Sequence, residues 1–256
     1  MSDLFIITGA STGLGASISK GIANKGVHLI LIARDNKYLS KVQTICESLG
    51  AVVDVHSIDL SSDSYYELFD KILLELNWNK YSRVVLFNNA STILPITHLD
   101  KASYKEIYSL LNLNLISAAS LSQNFMHNCK KYNKSESFVV NISSGASLKS
   151  IEGWGLYCIS KSGINMLTSV IANDTKDWDN PVQSVAINPG PLDTNMQNDI
   201  RQSNVEHSPL NNKFIKMYND GELSSPDMVA RKIIDILNST SFPNGEYIDF
   251  TSNISD

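Results

Sequence analysis

The chain has 256 residues, 43% of them hydrophobic and 18% charged, which suffices for one sizeable core in a single domain spanning 1–256. Its net charge of -5 argues against nucleic acid as a partner. No apolar run is long enough to span a membrane, no signal peptide precedes the first strand, and the three scattered cysteines fit a reducing compartment, so we expect a cytoplasmic protein without a membrane partner. The five histidines lack metal-ligand spacing, and no metal is expected.

Short β-rich runs alternate with stretches of helical periodicity along the whole chain. This alternation predicts an α/β fold with a single Rossmann-type, doubly wound parallel sheet of about seven strands and helices on both faces. Strands are predicted at Leu4–Thr8, Val27–Ala33, Val52–Ser57, Val84–Asn88, Phe138–Ser143, Val182–Asn188 and Tyr247–Phe250. Helices are predicted at Leu14–Lys25, Lys37–Leu49, Ser64–Leu76, Ser103–Cys129 and Trp154–Asn173, with Ser64 as a candidate cap and a last helix beginning at Pro226.

The first predicted strand leads into a glycine-rich turn that reads Gly9-Ala10-Ser11-Thr12-Gly13-Leu14-Gly15. Glycine permits a positive φ and lets the backbone approach a ligand closely. The helix that follows presents free N–H groups and the positive end of its dipole, which favour a pyrophosphate. Strand, glycine turn and helix together indicate a dinucleotide-binding turn.

The second predicted strand ends in Ala33 and is followed by Arg34. A carboxylate at the strand end would bind the ribose hydroxyls of NAD, whereas an arginine can fork onto the 2′-phosphate of NADP. The pattern therefore favours NADP(H), with Asp35 expected to face solvent. A solvated surface charge is the alternative interpretation of Arg34.

Tyr157 and Lys161 are separated by four positions in a predicted helix, so that they share one helix face. An ammonium group close to a phenol should lower the phenol pKa from about 10 toward neutrality, so that Tyr157 can exchange a proton with a carbonyl oxygen. Ser144, at the end of a predicted strand, is a candidate hydrogen-bond partner for the same oxygen, or else an ordinary turn serine.

Jointly, these segments resemble the short-chain dehydrogenase/reductase family over nearly the whole chain. The family's asparagine element appears as Asn88-Asn89-Ala90-Ser91, in which Ser91 replaces a glycine and a local backbone adjustment is expected. The helix asparagine of the family matches Asn114 better than Asn112, and its proline-glycine motif matches Pro189-Gly190.

The resemblance implies roles for specific residues. Tyr157 is expected to be the general acid, Lys161 to bind the nicotinamide ribose, and Asn114 to hold a water that links Lys161 to solvent. The implied catalytic residues are Asn114, Ser144, Tyr157 and Lys161, and the implied cofactor-binding residues are Gly9, Ser11, Thr12, Gly13, Leu14, Gly15, Arg34, Asp59, Leu60, Asn88, Ala90, Tyr157, Lys161, Pro189, Gly190, Leu192 and Thr194. For Asp59, a helix N-cap is the alternative interpretation.

Three further segments are distinctive: Gly153-Trp154-Gly155-Leu156-Tyr157-Cys158, residues 189–197, and Phe242-Pro243-Asn244-Gly245-Glu246. On these segments the chain looks most similar, within the family, to sepiapterin reductases and to benzil reductases that form (S)-benzoin. The implied substrate residues are Ser144, Trp154, Tyr157, Met196 and Asp249, and residues 189–222 are expected to cover the substrate and to contain a short helix near Asp193–Gln202. Asp249 in the pocket would suit a pterin, whereas an exposed Asp249 would favour a diketone reductase.

The resulting hypothesis is NADPH-dependent reduction of a small-molecule ketone or vicinal dicarbonyl to the alcohol. The alternative is a protein that senses the nicotinamide cofactor without turnover. By resemblance we expect a homodimer formed through the helices Ser103–Cys129 and Trp154–Asn173, and the sequence leaves a tetramer open.

Overall fold

The computed structural model describes residues 2–203 and 210–251, and the strands in that part of the chain form one seven-stranded sheet. The strands are β1 Ser2–Thr8, β2 Val27–Ala33, β3 Val52–Ser57, β4 Tyr81–Asn88, β5 Glu136–Ile142, β6 Gln183–Asn188 and β7 Glu246–Asp249. Their order is β3-β2-β1-β4-β5-β6-β7, and every neighbouring pair is parallel. The predicted fold class is confirmed, with strand ends displaced by a few residues.

Helices connect the strands and cover both faces of the sheet. Their bounds are α1 Gly13–Ile22, α2 Asn36–Ser48, α3 Tyr65–Glu75, α4 Tyr104–Leu111, α5 Ser117–Lys131, α6 Gly155–Thr175, α7 Asn195–Gln202, α8 Asn211–Asn219 and α9 Pro226–Leu237. The helix predicted at Ser103–Cys129 is divided by a π-helical turn, Asn112–Ile116. The Ser64 side chain does not cap α3, so that prediction was wrong.

Two hydrophobic cores lie on opposite faces of the sheet because successive side chains of a strand point to opposite sides. In β1, Phe5 and Ile7 pack against α1, α2 and α9, whereas Leu4 and Ile6 pack against α3 and α5. Burial of both faces explains why the central strands are nearly continuous apolar runs.

The chain adds strands on one side of β1 up to β3 and then continues on the other side with β4, so the strand order switches between β1 and β4. In open parallel sheets a ligand binds outside the carboxyl ends of the strands at such a switch point. Gly9 follows β1 and Asn89 follows β4, so both lie at this crevice.

Within residues 2–203 and 210–251, no helix combines the length and the hydropathy that crossing a bilayer requires. The same part of the chain holds no group of three or more side chains arranged for a metal ion. His207 lies outside the described residues, and the absence of a metal stays a prediction.

Candidate active site

The glycine turn after β1 has a geometry that larger residues would disturb. Gly9 and Gly13 have φ angles of +65° and +54°. A Cβ atom on Gly15 would lie 2.3 Å from the carbonyl oxygen of Gly9, and one on Gly9 would lie 2.9 Å from Ala90 Cα. The turn therefore depends on glycine both for its backbone conformation and for its close packing.

The residues of this turn fit a dinucleotide. Thr12 is the N-cap of α1, and its side chain makes no capping hydrogen bond, which leaves the N–H groups of the first helical turn available to an anion. A Cβ atom on Gly13 would lie 3.2 Å from Thr194 Cγ2, so the turn and Thr194 face each other. Leu14 instead packs into the core, and Ser11 is half-buried beside the turn.

Thr8 fastens the glycine turn to the end of β4. Its Oγ1 accepts hydrogen bonds from the backbone N–H groups of Asn89 at 3.0 Å and Ala90 at 3.1 Å. The Asn89 side chain donates to the Thr8 carbonyl oxygen at 2.9 Å. These hydrogen bonds fix the glycine turn and the segment after β4, which form the two sides of the crevice, in position relative to each other.

The Asn88 side chain points into the protein interior at the end of β4. Its side-chain amide is buried and donates to Ser122 Oγ at 2.9 Å and to Asn141 Oδ1 at 2.8 Å. These bonds tie β4 to α5 and β5. The side chain thus supports the sheet beneath the site, and a contact of the Asn88 backbone with the cofactor stays a prediction.

The end of β2 presents Arg34 to solvent. Asp35 is exposed as expected, and its carboxylate caps α2 by accepting the Tyr38 N–H at 3.1 Å. The cap directs the Asp35 carboxylate to the start of α2, while the exposed Arg34 guanidinium lies near enough to the Asp59 carboxylate to lower its pKa.

Asp59 and Leu60 follow β3 on the same edge of the sheet. The Asp59 carboxylate accepts the N–H of Ser61 at 2.9 Å and its hydroxyl at 2.7 Å. Since α3 begins only at Tyr65, the interpretation of Asp59 as a helix N-cap was wrong. The Leu60 side chain is buried in the core, so only its backbone faces the crevice.

The loop after β5 carries Ser144 and is bonded to α6 at several points. Ser143 Oγ donates to Asn165 Oδ1 at 2.5 Å, and Asn165 Nδ2 donates to Ser147 Oγ at 2.8 Å. Ser162 Oγ donates to the Ser147 carbonyl oxygen at 2.6 Å. Ser144 is thus held against the helix that bears Tyr157 and Lys161.

Tyr157 and Lys161 lie together in α6, and only 6% and 3% of their respective surfaces are exposed. The Ser144 and Ser91 side chains lie near enough to the Tyr157 hydroxyl to lower its pKa. Lys161 Nζ donates to the Ile142 carbonyl oxygen at 2.7 Å and lies 5.6 Å from the centre of the Tyr157 ring.

The pKa values differ from the expectation drawn from the spacing alone. Burial raises the pKa of Tyr157 to about 12, although the nearby Ser144 and Ser91 hydroxyls oppose the rise. Burial also lowers the pKa of Lys161 to about 7. The prediction that Lys161 brings the phenol pKa near neutrality was therefore wrong for the protein by itself, because a buried lysine loses part of its own charge.

Asn114 lies in the π-helical turn, and its amide is directed at a neighbouring loop. Its Oδ1 accepts the Thr92 N–H at 2.8 Å, and its Nδ2 donates to the Thr92 carbonyl oxygen at 2.7 Å and to Ser160 Oγ at 3.1 Å. The side chain therefore fixes the loop after β4, while its role toward a water molecule stays a prediction.

Residues 189–203 and 210–222, which we call the lid, contribute Met196, Ile200 and Phe214 to a cluster with Trp154 and Tyr157. That this segment covers a substrate stays a prediction. The short helix predicted in this segment is α7, whereas α8 was not predicted. Leu192 pairs with Ser224 in a single parallel bridge that closes the base of the lid. Residues 204–209 of the expected covering loop lie outside the described residues.

Aromatic and aliphatic side chains join the lid to α6. Phe214 of α8 stacks on Trp154 with ring centres 5.7 Å apart, and Trp154 meets the Tyr157 ring edge to face at 6.2 Å. Met196 packs against the same cluster. Trp154 is buried, and its Nε1 finds no hydrogen-bond partner within the described part of the chain.

Asp249 lies at the end of β7, beside the base of the lid. Its Oδ1 accepts from Asn188 Nδ2 at 2.9 Å and from the N–H and hydroxyl of Thr251 at 2.8 Å and 2.7 Å. Asn188 in turn accepts the N–H of Gly190, which has a φ of +76° and follows Pro189. The carboxylate thus holds the turn that starts the lid.

Two residues near Tyr157, Ser91 and Phe214, were not predicted as site residues from the sequence. Ser91, predicted only as a departure from the family pattern, lies near enough to Tyr157 to affect its pKa. Phe214 carried no signal, since nothing local in the sequence tells that α8 folds back onto Trp154.

Known proteins resemble this chain over most of its length. The family model described as short chain dehydrogenase matches residues 3–205. The chain is 36% identical to the benzil reductase ((S)-benzoin forming) of Bacillus cereus over 95% of its length and 97% of that protein. It is 30% identical to the sepiapterin reductase of Rattus norvegicus over 96% of its length and 95% of that protein.

A solved structure, that of the KRED1-Pglu enzyme, has the same fold with a TM-score of 0.81, 23% identity, and coverage of 96% of this chain and 100% of that one. The predicted resemblance is confirmed. Because the sheet, the glycine turn and the sequence relatives agree over nearly the whole length, we conclude that the chain belongs to the short-chain dehydrogenase family of oxidoreductases.

Proposed function

We propose that the chain is an NADPH-dependent carbonyl reductase that converts a ketone or a vicinal dicarbonyl to the alcohol, with Tyr157 as the general acid. The observation that carries the proposal is the buried pair of Tyr157 and Lys161 in α6, with Lys161 Nζ 5.6 Å from the Tyr157 ring and Ser144 nearby in the loop after β5.

The raised pKa of Tyr157 suits the reducing direction. A phenol with a pKa of about 12 keeps its proton at neutral pH and can give it to an alkoxide, which is a far stronger base. The Ser144 hydroxyl next to it supports the developing negative charge on the substrate oxygen. A well-positioned general acid typically contributes about 10²–10⁴-fold in rate.

The proposed cofactor, when bound, supplies the hydride, while the chain supplies binding and orientation. Gly9, Gly13 and the first turn of α1 would hold the pyrophosphate, and Arg34 the 2′-phosphate. Thr194, which faces Gly13 across the crevice, would hold the carboxamide end. Lys161 would bind the ribose hydroxyls.

The lining of the site favours a vicinal diaryl diketone over a pterin. Trp154, Met196 and Phe214 provide an apolar, aromatic surface next to Tyr157, and the unpartnered Trp154 N–H offers a donor to a second carbonyl oxygen. Asp249 accepts three hydrogen bonds at Oδ1 that hold it to Asn188 and Thr251 at the end of β7, away from the aromatic cluster. The names of both relatives support a reducible carbonyl next to a ring.

We propose a cytoplasmic homodimer that forms through the outer faces of α4, α5 and α6, or a tetramer that contains this dimer. The exposed apolar residues Tyr104, Ile159 and Met166 on these helices support such a contact.

Oxidation of NADPH and of NADH, followed with benzil and with sepiapterin, tests the proposal. We expect turnover of benzil with a clear preference for NADPH. Tyr157→Phe should lower kcat at least about 100-fold and leave NADPH affinity nearly unchanged, because only the proton donor is removed. Tyr66→Phe, at an exposed tyrosine of α3, is the matched control.

Tight binding of NADPH without turnover of any carbonyl compound would favour the cofactor sensor instead. A Tyr157→Phe variant as active as the wild type would remove Tyr157 from the mechanism.

A further inference from the structure

Asn165 lies on α6 one helical turn beyond Lys161, so the two side chains share one face of the helix. It is half-buried, and its amide contacts the loop after β5 at two points. Its Oδ1 accepts the Ser143 hydroxyl at 2.5 Å, and its Nδ2 donates to Ser147 Oγ at 2.8 Å. These two contacts lie on either side of Ser144 in the chain.

The hydrogen bonds around Ser147 allow only one orientation of the Asn165 amide. A serine hydroxyl has a single hydrogen to donate. Ser147 Oγ donates its hydrogen to the Ser144 carbonyl oxygen at 2.6 Å, so toward Asn165 it can only accept. The result is a directed chain of hydrogen bonds, in which the Asn165 amide donates to Ser147 and Ser147 donates to the backbone of Ser144. Successive hydrogen bonds in such a chain strengthen one another.

The short turn that follows Ser144 orients its side chain. Ser144 Oγ accepts the N–H of Ala146, within the turn Gly145–Ser147, at 3.2 Å. The same turn is bonded to α6 a second time, since Ser162 Oγ donates to the Ser147 carbonyl oxygen at 2.6 Å. The conformation of the turn therefore decides where the Ser144 hydroxyl points, and side chains of α6 fix that conformation.

The Ser143 end of the contact is anchored without Asn165. The Ser143 N–H donates to the Ile187 carbonyl oxygen of β6 at 2.7 Å, and Lys161 Nζ bonds the carbonyl oxygen of the preceding Ile142 at 2.7 Å. The contribution of Asn165 to the loop therefore falls mainly on its Ser147 side.

We propose that Asn165 is a positioning residue for the reduction, which acts through Ser147 to hold the Ser144 hydroxyl at the substrate oxygen. The inference rests on the proposed function. No proton moves along the chain of hydrogen bonds, because Asn165 and Ser147 keep their hydrogens throughout. The chain keeps the Ser144 hydroxyl in place while negative charge develops on the substrate oxygen, which spares the cost of reorienting it during the reaction.

Asn165→Asp tests the direction of the chain at nearly constant side-chain size. The carboxylate still accepts from Ser143, but it has no hydrogen to donate to Ser147. The Ser147 hydroxyl should then turn to the carboxylate and release the Ser144 carbonyl oxygen. We expect kcat for benzil to fall about tenfold, the size of one lost hydrogen bond, while KM for NADPH stays nearly constant. Ser147→Ala removes the middle of the chain and should have a similar effect.

Asn173→Asp, the same change at an exposed asparagine of α6, is the matched control and should leave kcat unchanged. The decisive comparison repeats Asn165→Asp in a Ser144→Ala background. Because Asn165 acts through the Ser144 hydroxyl, the second substitution should then lower kcat by at most about twofold. A tenfold loss that persists without the Ser144 hydroxyl, or no loss in Asn165→Asp alone, would overturn the inference.

Hydrogen exchange of the cofactor-free protein gives a readout that does not depend on turnover. The amides of Ala146 and Ser147 should exchange faster in Asn165→Asp than in the wild type, because the turn loses a bond to α6, and Asn173→Asp should match the wild type. Equal exchange in Asn165→Asp and the wild type would refute the chain of hydrogen bonds. Faster exchange together with a wild type that reduces no carbonyl compound would reject the proposed function but keep the action of Asn165 on the turn.

Discussion

Tyr157 and Lys161 illustrate how far a residue's surroundings decide its chemistry. Their spacing brings the two side chains together, as the short distance from Lys161 Nζ to the Tyr157 ring shows. Their charge states follow from burial, which lowers the pKa of the lysine to about 7 and raises that of the tyrosine to about 12. In the cofactor-free protein, the phenol is therefore a protonated acid beside a lysine that is partly neutral at neutral pH.

The lowered pKa of Lys161 predicts that the free energy of unfolding depends on pH. Between about pH 7 and the ordinary lysine value of 10.5, the unfolded chain binds a proton that the folded chain does not. Stability therefore rises with pH across this window. Lys161→Met should be more stable than the wild type at pH 7, by about 1–4 kcal/mol, and the difference should shrink as the pH approaches 10.5.

Urea denaturation of the cofactor-free proteins at several pH values measures this effect. Lys71→Met, at an exposed lysine of α3, provides the control and should show no such trend. The interpretation fails when the difference between Lys161→Met and the wild type is the same at every pH.

At the scale of elements, two differences between the predicted and the observed helices lie next to the site. The π-helical turn Asn112–Ile116 interrupts a long helix where Asn114 reaches across to Thr92. The lid helices α7 and α8 pack onto α6 through the cluster around Trp154. Both features depend on contacts with distant segments, which local periodicity does not report.

The stack of Phe214 on Trp154 predicts that α8 keeps the lid closed over the substrate. Phe214→Ala removes this aromatic contact, so the closed lid should become less stable. We expect KM for benzil to rise about tenfold, KM for NADPH to stay nearly constant, and Trp154 to become more accessible to a fluorescence quencher.

Steady-state kinetics and acrylamide quenching measure both effects. Ile215→Ala, at an exposed neighbour on α8, is the control. A rise in KM for both ligands would indicate general unfolding of the segment rather than a specific opening of the lid.

At the scale of the whole molecule, one face of α6 is apolar and exposed. Ile159, Met166 and Val170 recur at helical spacing on this face, and 64% of the Met166 surface is accessible. Tyr104 and Tyr108 extend the apolar surface onto α4. Exposed apolar surface that spans two helices is typical of a contact between subunits.

Met166→Glu should therefore shift the protein toward monomers, because a buried glutamate at the contact lacks a partner for its charge. Sedimentation at several concentrations measures the shift. Leu74→Glu places the same charge on an equally exposed apolar residue of α3 and should not change the assembly. A wild-type protein that is monomeric throughout would refute the proposed contact.

The amino-acid sequence by itself determined the alternation of strands and helices, the glycine turn and the placement of Tyr157 and Lys161 on one helix face. These features depend on neighbours within a few positions, on the period of the apolar residues and on the conformations open to glycine.

Only the tertiary structure decided that Asn88 faces the interior, that Asp249 holds the turn at Gly190, and that Phe214 stacks on Trp154. It also decided which protonation state the Tyr157 phenol holds. Hydrogen bonds between distant loops and the loss of solvent around a charge are set by the assembled surroundings, and no local pattern in the chain encodes them.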